Sequence, residues 1–111
     1  MGYDIKIKKD WIIINLGEKL DGSNAEEIQN NAIKNLEKRK YLIFNMKECN
    51  YISSAGLRTM LYIAKYLAMR EGETLIAEIS EEVRDIMEMT GFDHMFKMYD
   101  SLNDAENIIN N

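Results

Sequence analysis

One stretch near the middle of the chain, Tyr41–Leu57, constrains the fold more than any other. It opens with an apolar run, Tyr41–Phe44, of the length and composition of a buried strand. After a short polar segment, apolar residues recur at the three-and-four spacing of one helix face: Leu57, Met60, Leu61, Ala64, Leu67 and Ala68. Ser53 and Ser54 lie at this junction. The sequence therefore predicts two hydroxyls at a helix N-terminus, where free backbone N–H groups favour an acceptor oxygen or an anion.

This helix carries two further expectations. We expect Leu57, Leu61, Ala64 and Ala68 to face the sheet, so that the helix is a rigid platform and Leu61→Ala costs about 2–5 kcal/mol, as buried leucine truncations do. We also expect Gly56, in the first helical turn, to tolerate almost no side chain, because the backbone of a partner should approach it there. Replacing Gly56 with alanine would then be neutral or mildly stabilising for the fold while weakening binding.

The rest of the chain alternates between strand and helix patterns. Strands are predicted at Tyr3–Lys8, Trp11–Leu16, Tyr41–Phe44, Thr74–Ile79 and Phe96–Tyr99, and four helices lie among them. Expected caps and stops are a capping box of Ser23 with Glu26, N-caps at Ser80 and Ser101, and glycine stops at Gly72 and Gly91. Strand–helix–strand order implies parallel pairing, and the opening hairpin adds antiparallel pairing. We predict one α/β domain over residues 1–111, with a mixed sheet of about five strands and about four flanking helices.

Charge and cysteine content narrow the partners and the compartment. A net charge of −5 argues against nucleic acid or an anionic membrane as the main partner. No apolar run approaches the ~20 residues of a membrane span, and no signal peptide opens the chain, so we expect no membrane insertion. Cys49 is the only cysteine, which rules out an internal disulfide and indicates a reducing cytoplasm. We interpret Cys49 as a packed or half-buried loop residue.

The residues needed for catalysis are not evident in the sequence. The chain has no nucleophile elbow, no phosphate-binding glycine loop and no His/Cys grouping with metal spacing. A serine hydrolase that used Ser53 or Ser54 would need a base, and His94 is the single histidine. We therefore expect no enzymatic activity, no metal and no cofactor.

A family resemblance emerges when these segments are read together. The run from Asn45 through Ser53-Ser54-Ala55-Gly56-Leu57-Arg58 resembles the signature of STAS domains, specifically bacterial anti-sigma factor antagonists. Four other segments resemble the family in the same order along almost the whole chain: Gly17–Ala25, Glu71–Leu75, Val83–Phe92 and Ser101–Ala105.

The resemblance implies a mixed sheet flanked by helices and a serine switch at the start of the second helix. In this family an anti-sigma factor with serine kinase activity phosphorylates the antagonist, which ends binding, and a serine phosphatase reverses the modification. Carried over by position, the phosphoacceptor is Ser54, with Ser53 as second choice. Ser53 and Asn45 stand where the family commonly has Asp, and Ala55 takes the place of a second hydroxyl. The implied partner surface includes the exposed side of the second helix, and its named residues are Asp21, Asn24, Ser53, Ser54, Ala55, Gly56, Leu57 and Arg58.

Three alternatives remain beside this hypothesis. Ser54 could merely cap its helix. The chain could also be a STAS subunit of a transport or sensing complex that binds its partner without phosphoregulation. A small serine hydrolase is the third.

Overall fold

The computed structural model describes residues 2–110. The elements in chain order are β1 Tyr3–Ile7, β2 Trp11–Leu16, β3 Lys19–Leu20, α1 Ala25–Asn35, β4 Tyr41–Asn45, β5 Tyr51–Ile52, α2 Ser54–Met69, β6 Glu73–Ala77, α3 Glu81–Thr90, a 3₁₀ helix Phe92–Met95, β7 Lys97–Tyr99 and α4 Leu102–Asn110. Within the described residues, no helix combines the length and apolar character needed to cross a membrane.

Five of the strands form one mixed sheet in the order β1-β2-β4-β6-β7. The β1–β2 pair is antiparallel, and the remaining neighbours pair in parallel. The predicted α/β class, with a five-stranded mixed sheet and four helices, is confirmed. The short β3 and β5 strands pair separately, in parallel, and the sequence patterns did not predict them.

The sheet has a buried core on each face. Alternate residues of the central strands, such as Ile14 and Phe44, pack with α1, α2 and α3 on one face. The intervening residues, such as Ile13 and Ile43, pack under α4 on the other face. Burial on both faces explains why β2, β4 and β6 read as nearly continuous apolar runs.

Serine caps and a glycine stop appear where local sequence predicted them, with one exception. The Ser80 hydroxyl accepts from Val83 N at 3.2 Å, the Ser101 hydroxyl accepts from Asp104 N at 3.0 Å, and Gly91 ends α3 with φ 77°. The predicted capping box of Ser23 and Glu26 is wrong. Asn24 is the N-cap of α1 and makes no side-chain cap bond, because its amide is bonded within the preceding loop.

The end of α2 also differs from prediction in one respect. Glu71, with φ 64°, takes the left-handed position, and Gly72 N donates to Leu67 O at 2.7 Å in a Schellman arrangement. Gly72 is required for a different reason: a Cβ at this position would collide with the carbonyl oxygen of Lys40.

The buried face of α2 is rotated from the predicted one. Met60, Ala64 and Leu67 are buried as expected, but Ala68 is exposed, and Leu57 and Leu61 are only half-buried. Gly56, Thr59 and Ile63 complete the buried face. A packing partner explains the rotation: the Thr59 hydroxyl donates to Ala25 O of α1 at 3.3 Å, so small and polar residues turn inward where the two helices meet.

Candidate functional site

The short ladder of β3 and β5 brings the two predicted partner-binding segments together. Asn50 N donates to Glu18 O, and Ser53 N donates to Leu20 O, both at 3.0 Å. These bonds hold the chain before α2 against the chain before α1. The loop that follows Leu20, which carries Asp21 and Asn24, therefore lies beside the first turn of α2.

Gly56 allows this close approach. It is buried, and a Cβ built on it would collide with the Leu20 carbonyl oxygen and lie 2.9 Å from Leu20 Cγ. The expectation that Gly56→Ala is neutral for the fold is therefore wrong, because it treated Gly56 as an ordinary helix position. Gly56 contributes to the surface by letting α2 approach the loop, and its own backbone is covered.

Ser53 and Ser54 have different environments. Ser53 is the N-cap of α2, with extended backbone angles, and its hydroxyl accepts from Gly56 N at 3.2 Å. Ser54 is the first helical residue and is exposed, and within residues 2–110 its hydroxyl has no hydrogen-bond partner. The alternative in which Ser54 serves only as the cap is therefore wrong, since Ser53 fills that position.

The Asp21–Asn24 loop is fixed by its own side chains. The Asp21 carboxylate accepts from Ser23 N at 2.9 Å and from the Ser23 hydroxyl at 2.6 Å. Asn24 accepts from Asp21 N at 3.0 Å and donates to Lys19 O at 2.9 Å. The Ser23 hydrogen bonds, with a smaller contribution from Lys19, hold the pKa of Asp21 below its usual value. The loop thus presents a fixed carboxylate next to the start of α2.

Asn45 is directed away from this surface. It follows Ile43 on the sheet face that α4 covers, donates to Asn15 Oδ1 at 2.7 Å and accepts from Lys47 N at 3.2 Å. Asn15 in turn donates to Asp4 at 3.3 Å. The sequence alone does not reveal this polar row, because the row depends on the register of three strands.

A groove of about 570 Å³ runs between α1 and α2 from the serine turn, which we define as residues 53–57. We call it the α1–α2 groove. It is lined by Gly22, Ala25, Glu26, Gln29, Ala55, Arg58, Thr59, Leu61, Tyr62 and Lys65. Two predicted site residues, Ala55 and Arg58, belong to it. Leu61, Tyr62 and Lys65 were not named among the predicted site residues. Leu61 was expected to face the sheet, and correct placement of the buried face would have put all three on the groove side of α2.

His94 and Cys49 do not join the site. His94 lies in the 3₁₀ helix, and the cleft that it lines contains Ala64 and Ala68 of α2. Ala64 follows Ser54 by ten residues, a rise of roughly 15 Å along a helix, so His94 is not placed to act as a base for Ser54. Cys49 is buried, and burial raises the pKa of its thiol.

Comparison with known proteins places the chain in a family. A family model described as the STAS domain matches residues 3–105. The chain belongs to the STAS domain family. The BtrV protein of Bordetella bronchiseptica, provisionally named an anti-sigma factor antagonist, is 31% identical over 74% of this chain and 72% of its own length.

Solved structures share the fold of this STAS domain. A protein of Thermotoga maritima, provisionally assigned as an anti-sigma factor antagonist, superposes with a TM-score of 0.90 at 19% identity, covering 98% of this chain and 95% of its own. The anti-sigma factor antagonist SpoIIAA in its unphosphorylated form gives 0.80 at 19% identity, covering 98% of each chain. Its phosphorylated form, from Bacillus, gives 0.78 at 15% identity, covering 96% of this chain and 99% of its own. The same fold is thus found in one protein both with and without phosphorylation.

Proposed function

We propose that this STAS domain protein is a cytoplasmic anti-sigma factor antagonist that binds and sequesters an anti-sigma factor. In this proposal the serine kinase activity of the anti-sigma factor phosphorylates Ser54 and ends binding, and a serine phosphatase restores it. The protein itself acts as a binding module. The name of the BtrV relative supports the antagonist role, and the two forms of SpoIIAA support the compatibility of this fold with phosphorylation.

The observation that carries the proposal is the Ser54 hydroxyl, which belongs to an exposed residue and has no hydrogen-bond partner among residues 2–110. A kinase can reach this oxygen without breaking a hydrogen bond among residues 2–110, whereas modification of Ser53 would alter the oxygen that accepts from Gly56 N. A phosphate adds roughly −1.5 to −2 charges at pH 7, and a helix N-terminus tolerates that charge. The fold should survive, and the added charge should act on the partner.

The proposed partner surface comprises the serine turn and the adjoining loop. Ser54, Ala55, Leu57 and Arg58 present the beginning of α2, and Asp21 and Asn24 shape the neighbouring loop. Gly56 and Ser53 hold the two segments in place. A bulky dianion on Ser54 would stand in the middle of this surface, where it would obstruct a partner that fits the unmodified turn.

The test uses Ser54→Ala and Ser54→Asp, with Ser53→Ala as the structural control. Each purified variant is incubated with ATP and the anti-sigma factor kinases encoded in the same genome, and intact mass and binding titrations are recorded. We expect wild type to gain one phosphate on Ser54, Ser54→Ala to bind without modification, and Ser54→Asp to fold but bind poorly. Ser53→Ala should lose about 1 kcal/mol of stability, as N-cap removal does, and still be phosphorylated.

Two other results of this test would change the proposal. A phosphate on Ser53 instead would retain the function and move the site by one residue. No phosphate on either serine, with Ser54→Asp binding as wild type does, would contradict the phosphoswitch.

A further inference from the structure

The charge on α2 differs in sign from that of the whole chain. The protein carries a net charge of −5, yet α2 contains two cations, Arg58 and Lys65, and no carboxylate. Both side chains belong to exposed residues, and neither takes part in an ion pair within residues 2–110. These charges therefore remain available to a partner.

The two cations lie on one side of the helix. They are seven residues apart, about two turns or roughly 10 Å along the axis. Between them Tyr62 is 52% exposed and Leu61 is half-buried, and all four side chains line the α1–α2 groove. Among the described residues that line this groove, Glu26 on the α1 wall is the one carboxylate. The chemistry fits an acidic protein segment with an apolar residue between its carboxylates.

We propose that Arg58 and Lys65 bind an acidic segment of the anti-sigma factor, and that a phosphate on Ser54 competes for Arg58. The inference rests on the proposed function and specifies its partner surface and its switch. Ser54 and Arg58 are four residues apart, which brings their Cβ atoms to about 6 Å on a helix surface. Guanidinium binds phosphate through paired hydrogen bonds, so Arg58 is suited to hold it.

Charge balance explains the switch. Unmodified, the exposed face of α2 carries two positive charges. A phosphoserine at position 54 adds roughly −1.5 to −2, which cancels them and engages the cation nearest the serine. The acidic partner segment then meets a neutral face. Phosphorylation in this mechanism acts through Arg58 as well as through the bulk of the phosphate.

One experiment needs no partner. Phosphoserine is installed at position 54 by codon reassignment, and the ³¹P resonance is titrated with pH in the otherwise wild-type chain, in Arg58→Gln and in Lys65→Gln. An exposed ion pair of about 0.2–1 kcal/mol lowers the second pKa of the phosphate by roughly 0.15–0.7 relative to the same phosphoserine without the pair. Arg58→Gln should abolish that shift, and Lys65→Gln, two turns further along, should retain it. An identical phosphate pKa in all three proteins would overturn the competition for Arg58.

The second experiment measures binding of the unphosphorylated chain to the anti-sigma factor identified above. Arg58→Glu with Lys65→Glu should weaken binding at least tenfold at low salt, and Lys38→Glu, a control cation outside the groove, should leave it unchanged. If the double variant binds as tightly as wild type, the acidic-segment inference is overturned, and the proposed function is not. Failure of wild type to bind any anti-sigma factor would overturn the proposed function and the acidic segment together, whereas the phosphate titration would still decide the role of Arg58.

Discussion

Three of the four residues at the start of α2 have distinct roles. Ser53 caps the helix, Ser54 is exposed with a hydroxyl that no described residue bonds, and Gly56 permits contact with Leu20. The sequence showed two serines at a helix start. Which of them is the cap depends on the residue at which α2 begins, and sequence patterns do not locate a helix end to within one residue. The role of Gly56 depended on a residue 36 positions away and could not be predicted from its own neighbourhood.

Gly56 and Gly22 form a matched pair for a stability test. Gly56→Ala should lower the free energy of unfolding by about 1–3 kcal/mol, because its methyl group would displace the Leu20 backbone or the helix. Gly22 also borders the α1–α2 groove, but a Cβ there meets nothing within 4 Å. Gly22→Ala should stay within about 0.5 kcal/mol of wild type. Chemical denaturation measures both, and equal stability of the two variants would contradict the close approach of α2 to Leu20.

Among the helices and strands, features that depend on neighbouring residues, such as caps and stops, were predicted better than features that depend on tertiary packing. The caps at Ser80 and Ser101 and the stop at Gly91 require only neighbouring backbone, and each was predicted correctly. The predicted capping box at Ser23 is wrong because the Ser23 hydroxyl donates to the Asp21 carboxylate instead. The face of α2 was misplaced because apolar spacing does not show which apolar residues line a groove and which meet the sheet.

Two substitutions in α2 test the corrected face. Ile63 is fully buried against the sheet, so Ile63→Ala should cost about 2–5 kcal/mol. Leu61 is half-buried and lines the α1–α2 groove, so Leu61→Ala should cost clearly less than Ile63→Ala. Urea titration of both proteins gives the comparison. A larger loss from Leu61→Ala would restore the orientation that the apolar spacing predicted.

Over the whole molecule, the hydrophobic core on the sheet face covered by α1, α2 and α3 continues beneath the candidate site. Leu20, Cys49 and Ile52 are buried in the same cluster as Phe44 and Met60. The Cys49 thiol lies within 3.5 Å of Tyr51 O. The surface proposed for the partner is therefore supported by the central sheet and not by a separate flap. Opening the site should require opening much of the domain.

Cys49 can report that coupling, since it is 1% exposed and burial raises the pKa of its thiol. In the native protein at pH 8, reaction with a disulfide reagent should be at least about a thousandfold slower than in denaturant, because labelling must wait for an opening that costs most of the folding free energy. Gly56→Ala should accelerate labelling by the factor that its lost stability predicts, about tenfold for each 1.4 kcal/mol, whereas Gly22→Ala should not. Prompt labelling of the wild-type protein would instead mean that the β3–β5 region opens by itself, and the serine turn would then be a flexible surface.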